Sequence, residues 1–165
     1  MPPLSRFALA LPGALFATLL LAARPAPAAT NPAARWVVDG AQVTDTRSGL
    51  QWSTHDNGAD IDWHRALAAC AARGAGWRLP SVDELRSLHA DGDAPVACGG
   101  SHCRTSAPLA LSGAWFWSAA PVGKDAYDGD ELAWGVSLAN GASTQSVKEL
   151  SYGSRALCVH DTAAH

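Results

Sequence analysis

The chain has 165 residues, with 15 acidic and 12 basic side chains and a formal net charge of −3. This length is within the usual range of a single domain built around one hydrophobic core. Nucleic acids and anionic membrane surfaces require a basic footprint on their protein partners. The acidic balance of this chain therefore argues against both as partners.

The N-terminal segment has the pattern of a secretory signal peptide. Residues 7–23 form a nearly unbroken apolar run after a single basic residue, Arg6. Two prolines follow, and Ala26 and Ala28 supply the small residues that signal peptidase requires. We expect residues 1–28 to be removed and the mature protein to be periplasmic or secreted. The alternative, an uncleaved anchor, is disfavoured because the prolines end the apolar helix early.

The rest of the chain is predicted to be one domain without a membrane span. No apolar stretch after the signal segment is long enough to cross a bilayer. A Pro- and Ala-rich flexible linker is predicted at residues 29–35, the domain at 36–160 and a short tail at 161–165.

Four cysteines form an even set in a chain predicted to be exported, which indicates two disulfides. Three pairings are possible. The short separation of Cys98 and Cys103 makes a local loop the simplest interpretation, and Cys70 is then left to pair with Cys158.

The first half of the domain predicts β structure followed by two helices. A hairpin is expected at residues 36–44 around an Asp-Gly turn, with a further strand at 50–52. Asp62 is a suitable N-cap for a helix from residue 63 to about 73, in which apolar residues recur at i, i+3, i+4 and i+7. This spacing places Cys70 on the buried face.

A second helix is predicted to begin at Ser81, because Ser81 and Glu84 have the spacing of a capping box directly after Pro80. The elements expected after it are a long loop at 90–112, a strand at 114–118, an acidic loop at 121–131, a hairpin at 133–147 around a two-residue Asn-Gly turn, and a last strand at 156–159. This order predicts an α+β domain whose two ends meet.

Two segments, GLQW at 49–52 and WRLPSVDEL at 77–85, combine with aromatic residues further along in a pattern that resembles the Lcl C-terminal domain family. The resemblance extends over about residues 43–159. It implies the C-type-lectin-like fold, with two helices packed on short antiparallel strands and hairpins and with two disulfides. In that fold a disulfide joins the first helix to the last strand, which matches a Cys70–Cys158 pair.

Two departures limit what the resemblance implies. Family members often carry Arg directly before the final Cys, whereas this chain has Leu157 there and Arg155 two positions earlier. The Glu-Pro-Asn and Trp-Asn-Asp triplets with which true C-type lectins bind sugars through calcium are absent. Relatives in bacterial adhesins imply attachment to sulfated glycans, but this acidic chain lacks the basic patch that such ligands require.

The residues that carry the resemblance are assigned structural roles. We expect Trp77 and Leu79 in the core, and Arg78 holding either a backbone carbonyl or Glu84. The whole motif set is Trp52, Trp63, Trp77, Arg78, Leu79, Pro80, Glu84, Leu85, Trp117, Ser118 and Trp134.

The acidic loop is the candidate ligand-binding loop, since C-type-lectin-like domains carry a long binding loop in this region. Its candidate residues are Asp125, Tyr127, Asp128, Asp130 and Glu131, and the four carboxylates among them are a weak candidate for calcium. A solvated loop is the favoured interpretation, and no other cofactor is expected. Calcium at residues 56–62 is disfavoured, because a turn followed by an N-cap explains those residues. Zinc at His89, Cys98, His102 and Cys103 is disfavoured, because the two cysteines are expected to form a disulfide.

Trp115, Phe116 and Trp117 alternate in direction along their predicted strand. One face must be core. Burial of both faces is the favoured interpretation, and an exposed aromatic platform suited to stacking on sugars is the alternative.

These observations predict an exported, non-catalytic binding module that recognises a polysaccharide or an envelope or extracellular protein, adhesin-like, through loops between residues 90 and 131. Two alternatives stay open. One is an oxidase like the formylglycine-generating enzymes, which share a related fold and use a reactive cysteine pair, here Cys98 and Cys103. The other is a structural envelope protein.

Overall fold

The computed structural model describes residues 34–90, 93–123 and 129–162. The predicted signal peptide, most of the linker and the last three residues of the tail lie outside these ranges. Within them the chain forms two α-helices and eleven strands. The helices are α1 (Trp63–Ala71) and α2 (Val82–Leu88). The strands are β1 (Trp36–Asp39), β2 (Gln42–Asp45), β3 (Leu50–Ser53), β4 (Trp77–Arg78), β5 (Pro95–Cys98), β6 (Ser101–Arg104), β7 (Trp115–Pro121), β8 (Leu132–Ser137), β9 (Ser143–Val147), β10 (Ser154–Arg155) and β11 (Val159–Asp161).

The first sheet joins the two ends of the domain. Its strand order is β1-β2-β3-β11-β4, with antiparallel pairing throughout. Val159 of β11 lies opposite Trp52 of β3, as expected for a last strand that returns to the first ones. Arg35, assigned to the linker, instead donates a hydrogen bond of 2.9 Å to the buried carboxylate of Asp45. The folded domain therefore begins at or before Arg35.

The second sheet has the order β10-β7-β8-β9. Two of its features differ from the prediction. β10 pairs with β7 in parallel, so the strands are not all antiparallel. The β8–β9 connection is longer than a two-residue turn: Ser137 donates to the carbonyl of Ala142, and Gly141 adopts a positive φ of 72°. Leu138 is fully buried, and its burial draws the end of β8 into the core.

Helix α1 forms where the sequence predicts it. The carboxylate of Asp62 accepts a hydrogen bond of 2.9 Å from the amide of Arg65, which caps the first turn. Trp63, Ala66 and Cys70 are its buried residues. The helix ends at Ala71, about two residues earlier than expected. Neither described helix is long and apolar enough to cross a membrane.

Both disulfides are confirmed, with the predicted partners. Cys70 of α1 is bonded to Cys158 across a sequence separation of 88 residues. Cys98 is bonded to Cys103 across a separation of five. The second bond closes the β5–β6 hairpin, so the segment predicted as a long loop at 90–112 contains two paired strands.

Helix α2 is held by the predicted capping box and by Arg78. Ser81 and Glu84 exchange hydrogen bonds between side chain and backbone at the first turn. Arg78 donates to both carboxylate oxygens of Glu84 at 2.8 Å, and also to the carbonyl of Leu79. Its remaining donors reach Asp161 on β11 at 2.7 and 3.2 Å. Arg78 therefore ties the first turn of α2 to strand β11.

The predictions for the last strand and for Trp77 are wrong in detail. The last strand is displaced: residues 156–158 are not in a strand, and β10 and β11 lie on either side of them. Trp77 is half-buried and not in the core. Its ring lies against Arg73, 4.6 Å from the guanidinium carbon, and against His160, with ring centroids 5.5 Å apart. The core position of this segment belongs to Leu79, which is fully buried.

The disulfides should differ in their effect on stability. A cross-link restricts the unfolded chain more when it closes a longer loop. Replacing Cys70 and Cys158 together with Ala should lower the free energy of unfolding by about 4–5 kcal/mol, and replacing Cys98 and Cys103 with Ala by about 2 kcal/mol. Urea unfolding of the two double variants against the wild type measures both values. Equal losses would contradict the chain-entropy account.

The Arg78 ion pairs should make stability depend on pH. Hydrogen bonding to Arg78 lowers the pKa of both the Glu84 and the Asp161 carboxyls. A lowered folded-state pKa stabilises the fold above the unfolded value of about 4, and this contribution is lost as the pH falls through the folded-state values. Arg78→Met should cost roughly 1 kcal/mol at pH 7, because the pairs are partly exposed, and less at pH 3. Urea unfolding at both pH values tests this, and an equal cost at pH 3 would contradict it.

Candidate functional site

The tryptophans of the family motif form scaffold contacts. The indole N–H of Trp63 donates to the carbonyl of Ser118, and that of Trp117 donates to the carbonyl of Ile61, both at 2.8 Å. Trp52 is fully buried. Each of these side chains fills the core, and two of them also tie one loop or strand to another.

The other motif residues are structural as well. Leu79, Pro80 and Leu85 are buried. Ser118 is buried too, and its hydroxyl donates to the carbonyl of Trp134 at 2.8 Å, so it joins β7 to β8. Trp134 itself is half-buried. Arg78 and Glu84 are engaged with each other, as described above, and so the motif marks the frame of the domain.

The acidic loop is only partly within the described residues. Asp125, Tyr127 and Asp128 lie outside them. Asp130 and Glu131 form a short 3₁₀ turn with Gly129, and both are exposed. The side-chain amine of Lys148 donates to the carbonyl of Asp130 at 2.6 Å. No group of three or more potential metal ligands is present within residues 34–90, 93–123 and 129–162.

The acidic residues between 56 and 62 hold loops together. Asp56 accepts hydrogen bonds from the amide and the hydroxyl of Ser112, at 2.6 and 2.7 Å. Asp60 forms an ion pair with Arg155. A backbone hydrogen bond from Gly153, and then the hydrogen bond from Arg155, lower the pKa of the Asp60 carboxyl. Arg155 also donates to the Ser112 hydroxyl at 3.0 Å. Arg155 thus joins the loops at Asp60 and Ser112, whereas Leu157, directly before Cys158, is fully buried.

The cysteine pair considered for redox or zinc chemistry is sealed. Cys98 and Cys103 each have 0% of their surface exposed, and they are bonded to each other. The carbonyl of Ser112 lies against the turn between them, 2.2 Å from where a side-chain carbon at Gly99 would be, and Gly99 has a positive φ of 65°. Only glycine fits this turn. The segment around Ser112 thus covers the disulfide.

One concave surface is a groove on one face of the second sheet. It has a volume of about 230 Å³ and opens to solvent. Its floor is formed by Phe116, Trp117 and Gly135, and its sides by Trp115, Thr144, Ser146 and the turn Tyr152-Gly153-Ser154. We call this surface the Trp115 groove.

Strand pairing explains why the sheet is hollow here. Trp117, Gly135 and Thr144 lie opposite one another on β7, β8 and β9, so they share one face of the sheet. Gly135 has no side chain to fill the middle of that row. Trp117 packs under α1 against Trp63 and is 1% exposed. Trp115 does not belong to the core cluster under α1. It is half-buried and lines the groove.

The outer wall is the turn between β9 and β10. The amide of Ile61 donates to the carbonyl of Ser154 at 3.1 Å, and the neighbouring Arg155 is anchored by Asp60. Gly153 has a positive φ of 76°. Tyr152 projects from this turn and is 91% exposed. An aromatic ring that is almost fully in solvent thus stands beside the partly covered ring of Trp115.

The side chains of the groove are aromatic or hydroxyl-bearing, and none is charged at neutral pH. The prediction for residues 115–117 is therefore half right. Phe116 and Trp117 are buried on opposite faces, whereas Trp115 remains accessible. Thr144, Ser146 and Tyr152 were missed. The alternation of β9 indicates that Thr144 and Ser146 share a face, but nothing in the sequence places Tyr152 beside Trp115.

Comparison with known proteins identifies one family. A statistical model of the Lcl C-terminal domain matches residues 41–160 of this chain. The matched range contains both helices, all four cysteines and every residue of the Trp115 groove. No curated protein matches the chain. No solved structure matches it either.

The exposed aromatic wall of the groove, Tyr152, and its aromatic floor, Trp117, should respond differently to truncation to Ala. Tyr152→Ala should leave the free energy of unfolding within about 0.5 kcal/mol of the wild type, because the ring is exposed. Trp117→Ala should lower it by about 3–5 kcal/mol, because it empties a core position. Urea unfolding measures both. A large loss in Tyr152→Ala would show that this ring supports the fold and does not merely border the groove.

Proposed function

We propose that this chain, which belongs to the Lcl C-terminal domain family, is a non-catalytic binding module that recognises a polysaccharide or a protein surface. The observation that carries the proposal is the Trp115 groove. It is concave and partly apolar, it carries several hydroxyl groups, and no charged side chain lines it. Such a surface has the composition of a binding site. None of its lining side chains is a carboxylate, an imidazole, an amine or a thiol, which are groups that commonly act as acids, bases or nucleophiles in catalysis.

The groove replaces the loops at residues 90–131 as our candidate binding surface. Trp115 and its neighbours on β7 lie within that range, but the remaining wall residues come from β9 and from the turn at 152–154. The acidic loop stays a secondary candidate. Of its described residues, Asp130 and Glu131 are exposed on a turn whose carbonyl oxygens accept hydrogen bonds from Lys148.

We also propose that the domain acts in the periplasm or after secretion. Two disulfides support this assignment, because thiols persist as disulfides in oxidising compartments. The predicted signal peptide at residues 1–28 lies outside the described residues and stays a prediction.

The C-type-lectin-like fold is part of the same proposal. It is supported by the Cys70–Cys158 bond between α1 and the segment before β11, and by the pairing of β11 with β3, which closes the two ends of the domain on each other. The assignment concerns architecture alone and adds no calcium-dependent sugar site.

An oxidase like the formylglycine-generating enzymes is the less well supported alternative. A redox-active pair must be reached by its substrate, and reactive cysteines are accessible. Here Cys98 and Cys103 are fully buried. This burial favours a structural role for the bond, which holds the β5–β6 hairpin closed.

The proposal predicts a specific ligand outside the cytoplasm. The purified oxidised protein should bind either a subset of glycans on an array that carries neutral and sulfated sugars, or a discrete protein retained from an envelope extract. A heat-denatured sample of the same protein is the control for non-specific adsorption. Silence in both assays would contradict a binding role and favour a purely structural envelope component. Copper binding with oxidation of a thiol substrate would instead favour the oxidase.

A further inference from the structure

We propose that the Trp115 groove binds a neutral saccharide, with one sugar ring packed against Trp115 and Tyr152. This inference rests on the proposed binding function and specifies its ligand class. Three properties of the groove carry it: its charge, the arrangement of its aromatic rings, and its free hydroxyl groups.

The absence of charge selects against anionic ligands. A sulfate or carboxylate held in a groove needs a cation or several directed N–H donors. The basic residues that follow the groove walls in sequence are already engaged. Arg155 pairs with Asp60 and donates to Ser112, and Lys148 donates to the carbonyl of Asp130 and lies 4.9 Å from the centre of the Trp63 ring. A sulfated or carboxylated sugar would therefore find no partner for its charge.

The aromatic rings supply the apolar contact that a sugar requires. One face of a pyranose ring presents C–H groups, and such a face packs on an aromatic ring, which combines a large contact area with few rotatable bonds. Tyr152 is 91% exposed, whereas every Trp and Phe side chain within the described ranges is buried or half-buried. Trp115 is half-buried and also lines the groove, next to the turn that carries Tyr152. Together they provide two aromatic surfaces in one cavity.

The hydroxyl groups supply the polar contacts. Sugar hydroxyls both donate and accept hydrogen bonds, and so do Ser and Thr. Within the described ranges, the side chains of Thr144, Ser146 and Ser154 form no hydrogen bond to another group of the protein, so their capacity is available to a ligand. The mixture of C–H surface and hydroxyls on a neutral sugar matches this lining.

The size of the cavity limits the ligand. At about 230 Å³ it is below the range of about 300–1,000 Å³ that encloses drug-sized molecules. One sugar ring is the unit that such a cavity can cover. Because the groove opens to solvent, the rest of a polysaccharide chain can continue outside it.

The test combines an array with point variants of the exposed wall. The wild type is applied to an array of neutral, sulfated and carboxylated glycans, and the best neutral oligosaccharide is then titrated by calorimetry. Tyr152→Ala should raise its Kd roughly three- to tenfold, the range expected for loss of one aromatic contact. Tyr152→Phe keeps the ring and should bind more tightly than Tyr152→Ala. Leu150→Ala is the matched control, because Leu150 is exposed on the same connection but does not line the groove.

The outcomes separate this inference from the proposed function. Binding of sulfated or carboxylated glycans only, or neutral binding that Tyr152→Ala leaves unchanged, overturns the saccharide assignment and leaves the binding module intact. Retention of an envelope protein without any glycan binding also overturns it. Silence towards glycans and envelope proteins alike contradicts both proposals. A neutral glycan bound by the wild type and by Leu150→Ala, and more weakly by Tyr152→Ala, supports both.

Discussion

The fold depends on one short segment, residues 154–161, which joins elements that are otherwise far apart in sequence. Its strand β10 extends the second sheet, and its strand β11 lies between β3 and β4 in the first. Between the two strands, Leu157 is fully buried and Cys158 is bonded to α1. The amide of Ser53 also donates to the carbonyl of Cys158 at 2.9 Å. Removal of this segment would leave both sheets and α1 without a common partner.

Local chemistry is what made parts of the fold predictable. The cap at Asp62 and the reciprocal bonds of Ser81 and Glu84 depend on residues within one helical turn, so their spacing is readable along the chain. The features that were mispredicted depend on distant contacts. Leu138 is drawn into the core and lengthens the β8–β9 connection. Trp77 is half-buried because its ring packs against the side chains of Arg73 and His160. Neither choice is visible in the local pattern.

The candidate site was harder to predict than the frame around it. The motif residues belong to the scaffold, and they were easy to find because tryptophans in characteristic short segments stand out in a sequence. The groove is made of ordinary residues brought together by the parallel pairing of β10 with β7, which sets the turn at 152–154 beside Trp115. The prediction placed binding in the loops between residues 90 and 131, with the acidic loop as the candidate because C-type-lectin-like domains carry a binding loop in this region. A lone Tyr after a strand gives no comparable signal.

Tyr152 stands on a turn whose ends are anchored by backbone and ion-pair contacts rather than by its own side chain. The ring therefore contributes to the groove without contributing to the packed interior. The groove and the packed interior can therefore be altered separately. Under the binding function that we propose, a substitution at position 152 would change what the domain recognises and leave the buried frame intact.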